Sequence, residues 1–229
     1  IVTGFPGGST VGYTAGGATV TAIAGGYEIT GSAADIRTAL NTFSYTAPSD
    51  SDGNVNLSVT VETTDSNGDT ATTTSSHGLN VAAIADAPSL AVTPVTVNED
   101  TSVNIGGSIS YGLTDTDGSE TITNVQISGV PTGATPAWIA SGSASVVFNA
   151  GTGVLTVTSS NPDPALAAAD IRATLDTLAL TPPLHSDVDF NLSVAVTSTE
   201  TTLAGGEVTT SSAVSTATLA VTVTAVADA

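Results

Sequence analysis

The chain has 229 residues with 21 acids, two arginines and no lysine, a formal charge of −19. No basic patch can form, which argues against nucleic acid or an anionic membrane surface as a partner. Without cysteine there is neither a disulfide nor a thiolate metal site.

Val, Ala, Leu and Ile are interleaved with Thr and Ser and cut often by Gly and Pro, which points to an all-β protein with many turns. In chain order, residues 33–43 place Ile36, Leu40 and Phe43 four and three apart and predict a short helix. Val55, Leu57, Val59 and Val61 alternate with polar residues and predict a strand; Leu79 and Val81 mark another. Residues 146–148 and 154–157 flank Asn149-Ala150-Gly151-Thr152-Gly153 and predict a hairpin. Ile171, Leu175 and Leu178 predict a second short helix over 165–178. Phe190, Leu192, Val194 and Val196, then Leu219, Val221 and Val223, predict two more strands. Strands with one apolar face build a sandwich, and each helix is expected to cap an open edge or end of it.

The same order of elements occurs twice. Ala33-Ala34-Asp35-Ile36-Arg37 recurs as Ala168-Ala169-Asp170-Ile171-Arg172, 135 positions on (170 − 35). Pro48 matches Pro183, and Asn56-Leu57-Ser58-Val59 matches Asn191-Leu192-Ser193-Val194. Gly4-Phe5-Pro6 pairs with Gly129-Val130-Pro131, and Ala85-Asp86-Ala87 recurs as Ala227-Asp228-Ala229, 142 positions on (228 − 86). Residues 88–229 therefore form a whole unit of about 142 residues, and residues 1–87 an incomplete one with no counterpart of 88–126. Units of this size can each bury a core, and tandem units mark an array. The junction Ala83-Ile84-Ala85-Asp86-Ala87-Pro88 has no Gly/Ser tract and is stiffened by Pro88, so neighbouring modules should sit end to end at a restricted angle. Arg37 and Arg172 hold the same place in the repeat and are expected to tie a helix to carbonyls or a carboxylate. The chain starts at Ile1 with no Met or signal-like segment and reads as part of a longer polypeptide.

The acids are grouped. Asp50-Ser51-Asp52-Gly53-Asn54, Asp65-Ser66-Asn67-Gly68-Asp69 and Asp115-Thr116-Asp117-Gly118, with Glu120 close behind, place oxygen side chains at alternate positions around a glycine. That pattern suits a hard cation with six to eight oxygen ligands, Ca²⁺ more than Mg²⁺. It equally suits a plain Asp/Asn/Gly turn. The twelfth-position Glu and flanking helices of an EF-hand are missing. In stacked sandwiches, Asp86 of the junction, Asn98-Glu99-Asp100, Asp115, Asp117 and Asp65 would converge at one interface, with Glu200 aligned to Asp65. Without a cation those carboxylates repel one another.

Raw material for catalysis is sparse. His77 and His185 do not occupy matching positions, and no Gly-x-Ser-x-Gly accompanies them. One Trp, four Tyr and four Phe make a poor sugar cleft, and Trp138 reads as a core or end-cap residue. No run of 18 apolar residues offers a membrane-spanning helix. A non-enzymatic binding or spacer module fits best.

The motifs Asn98-Glu99-Asp100-Thr101, Thr114-Asp115-Thr116-Asp117-Gly118-Ser119-Glu120, Ile127-Ser128-Gly129-Val130-Pro131, Leu180-Thr181-Pro182-Pro183, Thr197-Ser198-Thr199-Glu200 and Val226-Ala227-Asp228-Ala229 occur in that order. Together they resemble the roughly 143-residue tandem repeats of giant type I-secreted bacterial surface proteins, the RTX-type adhesins. The resemblance covers nearly all of the second unit and the first from its Gly-Phe-Pro onward. It implies tandem Ig-like or cadherin-like β-sandwiches in a Ca²⁺-stiffened extender at the bacterial cell surface, holding an adhesive domain outward for attachment or biofilm formation. It also implies export as an unfolded chain that folds outside the cell, with neighbouring repeats as partners. Carried over by position, Glu99, Asp115, Asp117 and Asp86 are junction ligands, with Asp65 as a further one. The loop of Asp50, Asp52 and Asn54 becomes Leu184-His185-Ser186-Asp187-Val188-Asp189 in the second unit and loses its glycine. Gly-Gly-x-Gly-x-Asp repeats are absent, so this is not the secretion-signal end. A second reading is a self-assembling subunit of a filament or surface layer, its sheets completed by strand exchange between copies.

Overall fold

Period-two stripes of Val, Ile, Leu and Thr become strands along the whole chain, which is an all-β sandwich fold with one short helix in each unit. A computed structural model describes residues 1–115, 118–204 and 207–227, the side chains of 202–204 and 207 excepted. Two compact units emerge: unit 1 is Ile1–Ala83 with Thr202–Thr209, and unit 2 is Ile84–Thr201 with Thr210–Ala229.

In unit 1 the elements are β1 (Val2–Thr3), β2 (Thr10–Gly12), β3 (Thr19–Ile23), β4 (Gly26–Thr30), α1 (Ala33–Leu40), β5 (Ser44–Thr46), β6 (Val55–Thr64) and β7 (Thr70–Leu79). One sheet runs β3-β4-β1-β6-β7, and β2 pairs with β5 in a second. Ser32 caps α1 by accepting the Asp35 N–H at 3.2 Å.

Unit 2 contains β8 (Ser89–Val92), β9 (Val95–Asn98), β10 (Val103–Asn104), a 3₁₀ turn (Gly106–Ser108), β11 (Ile109–Gly112), β12 (Glu120–Ser128), β13 (Thr135–Ala137), β14 (Ala144–Asn149), β15 (Val154–Ser159), α2 (Pro164–Asp176), β16 (Ala179–Thr181) and most of β17 (Phe190–Ala204) and β18 (Glu207–Thr224), whose adjoining ends count with unit 1. Its large sheet runs β14-β15-β12-β17-β18-β9, with β9 parallel to β18. Two small sheets, β10-β16-β13 and β11-β8, face it. Leu178, Leu180, Ile105 and Ile109 from that layer share one buried cluster with Val125, Ile127, Leu192 and Val194 of the large sheet. The expected hairpin joins β14 to β15, closed by the Gly153 N–H on the Asn149 carbonyl at 2.9 Å.

The helix of unit 2 differs from the expectation that it caps an edge or end. α2 packs against β12, β14 and β15, three adjacent strands, and so lies across the sheet face. The cause is its apolar stripe, since Ile171 and Leu175 are wholly buried there. Asp163 caps it, accepting the N–H groups of Ala165 at 2.9 Å and Leu166 at 3.1 Å, with Pro164 at the first position. Arg172 behaves as its side chain predicts. Its fork donates to the carbonyls of Ile109 at 2.9 Å and Gly106 at 3.2 Å, pairs with Asp176, and stacks 5.0 Å from the Tyr111 ring centre. Gly106 is obligatory at that place, because a Cβ there would lie 1.6 Å from the Leu175 carbonyl oxygen.

The two cores are unequal. Leu178, Leu180, Leu192 and Val194 are at most 1% exposed, whereas their counterparts Phe43, Tyr45, Leu57 and Val59 are only partly buried. Val196 is sealed but its counterpart Val61 is 51% exposed. In unit 2 the closing side chains include Val97, Ile105 and Ile109.

Asp170 locks α2 to the sheet. Its Oδ2 accepts the Ser143 N–H at 2.9 Å, the Ser159 hydroxyl at 3.2 Å and the Asn161 amide at 3.3 Å. The Ser143 N–H, then the Asn161 side-chain amide and the Ser159 hydroxyl, hold its carboxyl below the ordinary value of 3.8. A lowered folded value means the contribution is full above the unfolded value and fades as pH falls through the folded one. The stability gap between wild type and Asp170→Asn should therefore be constant from neutrality down to about pH 4 and close below it. Chemical denaturation of both proteins across that range checks this.

Candidate metal centre

The core-facing phase of β17 reads Leu192, Val194, Val196, Ser198, Glu200, all buried. The stripe that begins as hydrocarbon thus ends in a hydroxyl and a carboxylate, without leaving the inner face. β12 does the same at its start, where Glu120 leads into Ile122. Glu120 and Glu200 are direct partners in the antiparallel register. Like charges opposite each other destabilise a sheet, and these two are 5% and 2% exposed.

Two further carboxylates join them. The joining segment before β8 is bound into unit 2: the Asp86 N–H donates to Glu120 Oε1 at 2.8 Å, and the Asp86 carbonyl accepts the Ser198 hydroxyl at 2.6 Å. Thr114 donates to the Ala87 carbonyl at 3.1 Å and Ser215 to that of Pro88 at 2.5 Å. Asp115 follows β11, is 3% exposed, and has a carboxylate oxygen within 4.8 Å of one from Asp86. Ser119 donates to Glu200 Oε1 at 3.2 Å. The second oxygen of Glu120, Oε2, is buried with no hydrogen-bond partner among the described residues. The chain's two arginines are elsewhere: Arg172 is committed to Ile109, Gly106 and Asp176, and Arg37 lies exposed on α1. Four carboxylates at one end of a core, three of them buried, form a set of hard oxygen donors with no arginine or lysine beside it among the described residues.

Of the sequence candidates, Asp86 and Asp115 are brought together here. Asp117 lies outside the described residues. Glu99 and Asp100 are not part of this cluster. Because β9 pairs with the final residues of β18, the turn after β9 sits where β18 ends. Glu99 accepts the Val226 N–H at 2.6 Å, and Asp100, at φ +59, accepts the His185 N–H at 2.8 Å. Ser212, which bonds Thr199, marks the opposite end of β18, roughly 40 Å away at about 3.3 Å per residue. Asp189, bonded to the Val223 N–H at 2.8 Å, shares the Glu99 end.

The remaining candidates belong to unit 1. Asp50, at φ +58, and Asp52 lie in the loop between β5 and β6, with Asn54 just before β6. Asp65, Asn67 and Asp69 close the β6–β7 hairpin. Asp65 Oδ1 accepts the N–H groups of Asn67 at 2.8 Å and Asp69 at 3.0 Å, a turn-building role that requires no ion.

Glu120 and Glu200 were not among the sequence-derived ligands. The signal for them was phase: each sits in register with the apolar stripe of its own strand, where a carboxylate is costly unless something compensates it.

A scan against protein-family models finds no match, and a search of curated proteins finds none. The site is therefore read from its own chemistry.

With divalent cations chelated, Glu120→Gln should stabilise unit 2 by about 1–3 kcal/mol, since it removes a buried unbalanced charge while keeping the acceptor for the Asp86 N–H. Thermal or urea unfolding in EDTA measures this, and destabilisation would show that the carboxylate is already compensated by protein groups.

Proposed function

We propose that this chain is a non-enzymatic, Ca²⁺-stiffened extender segment of a secreted bacterial surface adhesin, built from tandem sandwich repeats that hold an adhesive domain away from the cell. The observation that carries the reading is the set of buried Asp115, Glu120 and Glu200 with the exposed Asp86 beside them, and the unpartnered Oε2 of Glu120. Carboxylate oxygens without His or Cys suit Ca²⁺ or Mg²⁺ and not a softer metal. Ca²⁺ is preferred because several carboxylates drawn from the joining segment, two strands and the residue after β11 suit its larger coordination sphere of six to eight oxygens.

The proposed mechanism is mechanical. Asp86 sits in the joining segment, and its partners sit on β12, on β17 and after β11. A bound cation would turn repulsion among these groups into attraction to a common centre and fix that segment to unit 2. A chain exported unfolded would then acquire rigidity where Ca²⁺ is plentiful, outside the cell. The sequence resemblance to RTX-type repeats, the tandem units and the lack of cysteine support the same reading.

The test is a thermal melt in EDTA, in 1 mM Ca²⁺ and in 1 mM Mg²⁺. A site with Kd about 10 μM should contribute about 2.7 kcal/mol at 1 mM Ca²⁺. The gain should be much smaller with Mg²⁺, and Glu200→Gln should remove most of it. Equal melts in all three conditions would reject the reading.

A further inference from the structure

We infer that the free edge of β14 is a self-association surface, through which two copies of this chain pair their large sheets antiparallel. The pairing requires no metal and lies within unit 2.

Charge selects this edge. Between Glu120 and Asp163 the chain carries no charged residue, although it has 21 acids. That run supplies β13, β14, β15 and most of β12. At a formal charge of −19, two copies repel wherever their acids meet, and an uncharged flank is where they can touch with least repulsion. β14 lies in mid-chain, ends the large sheet, and pairs only β15 among the described residues. Its register is unbroken from Ala144 opposite Ser159 to Asn149 opposite Val154. The backbone N–H and C=O groups of alternate residues therefore face outward along it. Neither proline nor bulge interrupts the strand, and Val147 stands 64% exposed on it.

Three other edges are blunted. β9, at the opposite end of the same sheet, is four residues long, preceded by Pro94 and followed by Glu99. β13 carries Pro136. In unit 1, β3 ends its sheet, but Glu28 stands directly across from its Thr21. Short strands, proline and charge are the means by which sheets avoid partners. β14 has none of them.

Asp170 fixes the sense of pairing. Its carboxylate is held by Ser143 and Ser159 at the start of β14. In a parallel pair the two carboxylates would lie side by side; in an antiparallel pair each lies beside the uncharged turn after Asn149 of the other copy. A two-fold axis at Val147 sets the two Val147 side chains opposite each other and Val146 opposite Phe148. Val146 and Phe148 already pack on the core as partly buried residues, and the added strand covers them further. Pairing uses up the edge, so the product is a closed dimer. β14 runs in the same sense as β12, since both are antiparallel to β15. The two copies therefore lie with their poles reversed. On the extender reading, that sense suits chains arriving from two facing cells.

Sedimentation equilibrium of the full chain, in low and in raised sodium chloride, tests the pairing. The expected result is a monomer–dimer equilibrium that tightens as salt rises, because screening removes the repulsion between copies. Amide hydrogen exchange should show new protection confined to β14. Ser145→Asp with Val147→Asp, both exposed positions, should weaken dimerisation roughly tenfold with the melting transition kept. Thr218→Asp, exposed on β18, adds a charge away from the edge and should leave the affinity unchanged. A chain still monomeric at about 1 mM in raised salt, a dimer loosened by salt, growth into polymers, an equal loss with Thr218→Asp, or a dimer that survives the β14 substitutions would each overturn the proposal.

Discussion

The constraint on which unit 2 depends is a pair of carboxylates, Glu120 and Glu200, facing each other on the inner side of a sheet. Burying charge there opposes folding unless a counter-charge is present. Neither arginine is placed there, one being committed and the other exposed elsewhere, and lysine is absent. Everything at that end is arranged around oxygen: a serine continues the stripe, the joining segment lends Asp86 and its backbone, and Asp115 closes in from the other layer. The same charge excess that argues against polyanionic partners makes a divalent cation the natural complement.

Unit 2 also has a direction. β12 and β17 bring their carboxylates to the end where the joining segment enters, while Glu99, Asp100 and Asp189 gather where β18 finishes. The sequence repeat relates the two ends, since Asp86 and Asp228 occupy the same place in successive units. Helix, hairpin and paired strands form in both units, but only unit 2 has Val97, Ile105 and Ile109 to cover the inner face of its long hairpin.

The sequence exposed the fold class, the duplication and the main elements because period-two and period-3.6 stripes are local signals. Val55–Val61 and Phe190–Val196 became strands, and Asn149–Gly153 became the hairpin turn. The role of Arg172 followed from side-chain geometry alone. What local pattern concealed was pairing. Nothing near Asn98 announces that β9 runs parallel to the end of β18, so the destination of Glu99 and Asp100 depended on topology. The placement of α2 across the sheet face, where an edge or end was expected, likewise follows from which strands are adjacent. Acidic turns drew attention as ligands because they look like cation loops, yet Asp65 spends an oxygen on its own hairpin. The quieter signal was a carboxylate in the phase of valines.

A crystal of the chain grown with Ca²⁺ and recorded for anomalous scattering tests the central claim most directly. The account predicts an anomalous peak about 2.3–2.6 Å from oxygens of Asp86, Asp115, Glu120 or Glu200, with Glu120 Oε2 among the ligands. A well-ordered map with no peak there, and with Glu120 and Glu200 bonded to protein groups or water alone, would contradict it.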